Sequence, residues 1–210
     1  MKMLGRPVEV DAPSIKTLLA KLSTSVHTFQ SVPFSSRALK SGLITFLLAS
    51  VGTMSQSQPP LTTVPYVDLD RYAGEWFEIA RYPNRFEKEC ESDITAVYSL
   101  RSDGKIQVVN NCRKANGATK ESSGSGKVVD PKTNAKLKIS FFWPFYGDYW
   151  IVDLDPDYRY AVVSEPKREY LWILSRSPQM EPADHQRVIA RIRELGFDPN
   201  RLVHPKQREK

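Results

Sequence analysis

From Trp76 to Ser175 the chain repeats one pattern about eight times: a short run in which apolar and polar side chains alternate, closed by a turn signal. The runs are Trp76–Tyr82, Ile94–Leu100, Ile106–Asn111, Gly124–Val129, Leu137–Phe142, Tyr149–Leu154, Tyr160–Ser164 and Tyr170–Ser175. Alternation of this kind marks a strand, because successive side chains point to opposite faces of a sheet. Ser102-Asp103-Gly104 is a strong hairpin signal, and Asn116-Gly117, Asp130-Pro131, Trp143-Pro144, Asp155–Asp157 and Glu165–Lys167 punctuate the rest. Connections this short exclude parallel crossovers, which need a dozen or more residues, so consecutive strands are antiparallel neighbours. A series of eight such strands sheds its exposed edges by closing on itself. The predicted fold is therefore all-β: an eight-stranded antiparallel up-and-down barrel whose interior can hold one small ligand.

One helix follows. Pro182 opens a stretch that runs from Ala183 to Leu195 and stops at Gly196. Val188, Ile192 and Leu195 form one stripe with Ile189 beside it, while Arg187, Arg191 and Arg193 mostly face away. An amphipathic helix of this kind packs on the outside of a sheet; contact of its basic face with a membrane surface is the alternative.

Upstream, Met1 to Leu39 is polar and aperiodic, and Lys40 precedes an apolar run from Gly42 to Gly52. That run has the length of a signal-peptide core and falls short of the roughly 20 residues of a membrane span. The expected organisation is a poorly structured extension over 1–39, a signal-peptide-like segment over 40–53 and a linker over 54–66. The barrel domain then spans 67–204, with its helix at about 182–195, and a tail covers 205–210. This implies export to the periplasm or outer membrane; a start at Met54 would instead leave the product in the cytoplasm. No Cys stands just after the apolar run to carry a lipid anchor, so a lipoprotein is not expected. The formal charge of +6 is concentrated upstream, where residues 1–53 hold six Lys and Arg against two Asp and Glu. The remainder holds 24 against 22, so the folded part lacks the clustered positive field of a nucleic-acid binder.

Chemistry-bearing motifs are sparse. Cys90 and Cys112, each at the edge of a predicted strand in one hairpin-sized segment, suggest a disulfide in an exported chain. The three His, at 27, 185 and 204, are distant in sequence from that pair, which speaks against a metal site or a Cys–His nucleophile. Asp153, Asp155 and Asp157 fall in a turn and lack the glycine and distal Glu of a calcium loop. No catalytic residue, metal site or cofactor is expected, and the chain reads as a binding protein and not an enzyme. A protein-interaction module of the cell envelope, or an enzyme acting on a small apolar substrate, are the alternatives.

Three ordered blocks resemble a known family. Asp70–Ala80 carries a Gly-x-Trp signature at Gly74–Trp76 on the first strand; Asp153–Tyr158 lies at the turn between the sixth and seventh; Leu171–Arg176 ends the last strand with an Arg. Together they resemble the lipocalins, in particular the bacterial outer-membrane branch shared with apolipoprotein D and plant temperature-induced lipocalins. The second block departs from the family's Thr-Asp-Tyr core, reading Leu-Asp-Pro-Asp-Tyr here. The resemblance implies that Gly74, Trp76 and Arg176 close one end of the barrel; a planar guanidinium over an indole adds a cation–π attraction of roughly 0.5–2 kcal/mol. With the register anchored at those residues, parity puts Glu78 and Ala80 on the face of Trp76, and Tyr170, Trp172 and Leu174 on the face of Arg176. By resemblance to lipocalin strands the remaining inward set is Ala96, Tyr98, Val108, Ile139, Phe141, Tyr149, Ile151, Ala161 and Val163. The implied partner is a small apolar or amphiphilic molecule, such as a fatty acid or lysophospholipid. Glu78 stands out, since an inward carboxylate needs an Arg, a hydroxyl and water, or a ligand headgroup. Trp143, Phe145 and Tyr146 are expected on a loop at the open end.

Overall fold

The structure, a computed structural model, describes residues 58–208. The extension and the signal-like segment lie outside the described residues. After a one-turn helix α1 (Leu69–Tyr72) come β1 (Gly74–Arg81), β2 (Ser92–Leu100), β3 (Ile106–Arg113), β4 (Thr119–Val128), β5 (Lys136–Phe142), β6 (Phe145–Leu154), β7 (Tyr160–Ser164), β8 (Leu171–Ser175) and then α2 (Pro182–Glu194). Each strand pairs antiparallel with the next and β1 also pairs with β8, closing the barrel. β4 begins five residues before its predicted start, because the polar stretch from Thr119 to Ser123 is held by its ladder to β3 and not by burial. β6 likewise begins at Phe145, so Phe145 and Tyr146 are strand residues and only Trp143-Pro144 make the turn.

Alternation sorts the apolar side chains into two clusters. The inner one fills the barrel with Trp76, Val108, Leu137, Ile151 and Val163 among others. The outer one joins Tyr82, Val152, Val162, Leu171 and Ile173 to Val188 and Ile192 of α2. The helix thus buries its predicted stripe on the outside of the barrel. Gly196, at φ +85°, supplies the left-handed residue that lets Phe197 N–H return to the Ile192 carbonyl at 2.9 Å. Asp155 accepts from the Asp157 and Arg159 amides and from the Arg159 guanidinium, which also pairs with Asp184 at the start of α2. The acidic turn is therefore a fastening between turn and helix, and Asp153 faces Arg191 at 3.8 Å.

The tail crosses the seam of the first two strands near the open end. Val203 and Arg81 exchange backbone bonds of 2.9 and 3.0 Å, and Lys206 accepts from Asp93 N–H at 2.8 Å. The Gln207 amide donates to the Glu78 and Ile94 carbonyls, both at 2.8 Å.

Cys90 and Cys112 are bonded, with Cα atoms 5.5 Å apart, tying the β1–β2 loop to the end of β3. Closing a loop of 22 residues restricts the unfolded chain, so replacing both cysteines by Ala should lower unfolding free energy by about 2–4 kcal/mol, measured by urea titration. The loss should show first as faster hydrogen exchange in the β1–β2 loop.

Candidate ligand-binding interior

The closed end is built around Trp76, which is fully buried and donates its indole N–H to the Tyr72 carbonyl at 2.8 Å. The Arg176 guanidinium lies 3.8 Å from the centre of that ring. Its Nη2 donates to the carbonyls of Arg71, Tyr72 and Ala73, and its Nη1 to that of Glu75. These are the acceptors left exposed where α1 turns into β1, so one side chain satisfies a whole chain reversal. Gly74 makes the reversal at φ +97°, and a Cβ there would stand 3.3 Å from Arg176 Nη1.

Above this floor runs a row of phenols. Tyr149 donates to Tyr98 at 2.9 Å, and the hydroxyls of Tyr72 and Tyr149 are 2.7 Å apart. Burial pushes all three well above the ordinary tyrosine value, so they remain neutral hydrogen-bonding groups. The walls around them carry Ala96, Val108, Ile139, Ile151, Ala161, Val163 and Leu174, all in the inner cluster.

Towards the open end the lining turns ionic. Glu78, only 3% exposed, accepts from Arg81 Nη1 at 2.6 Å, and Arg81 Nε stands 3.3 Å from Glu87. Glu87 also accepts from Asn84 and from the Trp172 indole N–H at 3.2 Å, and Trp172 stacks on Tyr170 with centroids 5.8 Å apart. Burial, followed by the proximity of Glu87, raises the Glu78 carboxyl well above the usual carboxylate range, against the opposing pull of Arg81. On β3, Asn110 lies opposite Ala96, and its buried Oδ1 accepts no hydrogen bond.

Two of the residues predicted to line the interior do not. Ala80 belongs to the outer cluster: the β1–β8 register shifts between Glu78 and Ala80, and the extra residue turns Ala80 outwards beside Ile173 and Arg81 inwards beside Trp172. Phe141 leaves the lining where the β5–β6 register shifts between Ile139 and Phe142. Its half-exposed ring borders a depression on the outer wall together with Ser125, Ser140 and Tyr146. Sequence reasoning missed Arg81, displaced by the same bulge, and Glu87 and Tyr72, which enter from a loop and from α1. Asn110 was within reach, two places along β3 from Val108 on the same face.

Among the described residues, no three His, Cys, Asp or Glu side chains are grouped to hold a metal ion, and no helix is long and apolar enough to cross a membrane. His185 and His204 face each other outside the barrel, with ring centres 6.1 Å apart.

Comparison with known proteins is concordant. A family model described as a lipocalin-like domain matches residues 67–207. The outer membrane lipoprotein Blc of Escherichia coli K12 is 42% identical over 156 residues, covering 73% of this chain and 88% of the relative. Temperature-induced lipocalin-1 of Arabidopsis thaliana is 39% identical over 150 residues, covering 68% and 80%. Among solved structures, insecticyanin of the tobacco hornworm Manduca sexta superposes with a TM-score of 0.60 at 22% identity, over 73% of this chain and 87% of that one, a likeness of fold.

Proposed function

The chain belongs to the lipocalin family, and on that premise we propose that its barrel stores or carries one small amphiphile, such as a fatty acid or lysophospholipid, in maintenance of the cell envelope. The observation that carries this reading is the gradation of the lining. Apolar walls and neutral phenols occupy the middle, and a single ionic cluster at Glu78, Arg81 and Glu87 lies towards the open end. An acyl chain gains about 0.8 kcal/mol per buried CH₂ and needs no charge partner, whereas its head requires one. Ala96 and Ala161 put small side chains on the inner face. Catalysis is disfavoured because the phenols are held protonated and neither described His lies in the inner cluster. The relatives named as outer membrane lipoproteins support a place in the envelope.

Native mass spectrometry of the purified protein, followed by lipid extraction, should return a bound amphiphile. Titration with oleate and with a lysophospholipid should quench tryptophan fluorescence. Trp172→Arg places a second cation beside Arg81 and removes the stack on Tyr170, so binding should weaken about tenfold or more, equivalent to roughly 1.4 kcal/mol. The circular dichroism of the barrel should be retained. Unchanged affinity in that variant, or a protein that neither retains nor takes up lipid, would refute carriage.

A further inference from the structure

On the outer wall, between the first turn of α2 and the returning tail, the fold brings together two side chains that interior binding leaves unused. His185 and His204 face each other with ring centres 6.1 Å apart and planes inclined at 47°. They flank a depression of about 220 Å³ whose other borders include Ile79, Pro178, Met180 and Pro205. Both rings are held from behind. Helix α2 is fixed by Val188 and Ile192 in the outer cluster. The tail is fixed on either side of His204: Val203 exchanges backbone bonds with Arg81, and the Gln207 side chain donates to the Glu78 and Ile94 carbonyls while its main-chain carbonyl accepts from Gln179 at 3.3 Å. The ladder between β1 and β2 runs as far as Phe77 and Thr95, so Gln207 stands in for its next rung. Burial, followed by the proximity of His204, holds His185 below the usual histidine range, so at neutral pH it is an uncharged imidazole.

We propose that this pair binds one monovalent copper ion, with His185 and His204 as its nitrogen ligands and the Met180 thioether as a third. The spacing fits. An imidazole nitrogen bonds such a metal at about 2.0 Å, so two rings on one ion, each reaching out from its own centre, have centres about 5–6.5 Å apart. The observed 6.1 Å lies at the wide end of that range, which belongs to the near-linear angle that monovalent copper takes between two imidazoles. Tetrahedral zinc would draw the rings closer and asks for four ligands. The donors fit as well. Uncharged imidazoles beside a soft thioether select monovalent copper, whereas hard divalent ions ask for carboxylates, and among the described residues none borders this depression. An ion held here laces the first turn of α2 to the tail and, through Gln207, to the rung between Glu78 and Ile94. Each ligand sits on an element fixed by other contacts, so little has to be ordered when the ion arrives. The inference is independent of what the barrel holds.

The test uses the full chain under nitrogen, with ascorbate to keep copper monovalent while sparing the Cys90–Cys112 bond. Competition against bicinchoninate should show copper held by the unaltered chain, and one ion per chain fewer in the double variant His185→Gln, His204→Gln. His204→Gln alone, at an exposed position on the tail, should weaken binding about a hundredfold or more. Met180→Leu, which keeps the volume, should weaken it about tenfold and remove the sulfur shell from the copper X-ray absorption spectrum. Copper should also slow hydrogen exchange over residues 203–207 in the unaltered chain and leave it unchanged in the double variant. Equal copper uptake by the double variant, or full affinity in His204→Gln, overturns the site. A spectrum of the unaltered chain without sulfur overturns Met180 as a ligand. Displacement of copper by zinc or nickel at equal concentration overturns the choice of ion.

Discussion

Arg176→Ala should lower the unfolding free energy by about 3–5 kcal/mol, the largest loss expected from any single substitution outside the apolar core. The guanidinium covers the indole of Trp76 at 3.8 Å and donates to four main-chain carbonyls between Arg71 and Glu75. Removing it forfeits a cation–π contact of about 1–2 kcal/mol. It also withdraws one donor from each of these carbonyls, of which that of Tyr72 keeps the Trp76 indole N–H, and each bond that water does not replace costs about 1–3 kcal/mol. Arg176→Lys keeps the charge but cannot spread donors over four acceptors from one plane, so it should recover less than half of the loss. Equilibrium denaturation in urea gives the number. A loss below about 1 kcal/mol would mean that α1 satisfies its own end and the guanidinium only covers it.

Arg81→Ala should be nearly as damaging at neutral pH, and its cost should depend on pH. Arg81 is the cation shared by Glu78 and Glu87 in a buried setting, and removing one partner of such a cluster typically costs about 3–5 kcal/mol. The Glu78 carboxyl is already raised in the folded protein by burial and then by Glu87, while Arg81 pulls it back. A carboxyl whose folded value is raised contributes its full stability below its ordinary value of 4.5, and loses that contribution as pH climbs through the raised value. Deleting Arg81 raises Glu78 further and deepens the loss on the alkaline side. The difference between variant and parent should therefore be largest near pH 8 and shrink by about 1 kcal/mol or more on going to pH 5. Adding Glu78→Gln to Arg81→Met should recover most of the stability, because a neutral amide can stay buried with far smaller cost. A variant whose deficit is flat from pH 5 to pH 8 would show that Glu78 keeps its charge by another route.

The barrel was readable because alternation and turn chemistry are local. Eight runs and their punctuation specify antiparallel neighbours whatever the rest of the chain does, and the Val188–Ile192 stripe specifies a helix with one side to bury. Parity also located most inner-cluster residues, from Tyr98 and Val108 to Val163 and Leu174. It failed at Ala80 and Phe141, both immediately past a register shift. A bulge is a decision between two strands about which residue to leave unpaired, and neither Ile79 nor Ser140 announces it within its own strand. The ionic cluster was half visible for the same reason. Glu78 could be placed, but its partner Arg81 sits on the far side of the bulge, and Glu87 reaches in from a loop with no periodicity to read. The run Phe142, Trp143 and Phe145 was visible in the sequence, but its exposure goes with a hairpin in which β5 ends at Phe142 and β6 starts as early as Phe145.

The C-terminal tail has a practical consequence for anyone handling this protein. Val203, Lys206 and Gln207 are stitched across the first two strands, and Arg208, the last described residue, lies beside Asp93 and not at the sealed base. A purification tag or fluorescent fusion joined there would load the stitching that ties the tail across β1 and β2, so a handle of this sort is better placed away from that seam.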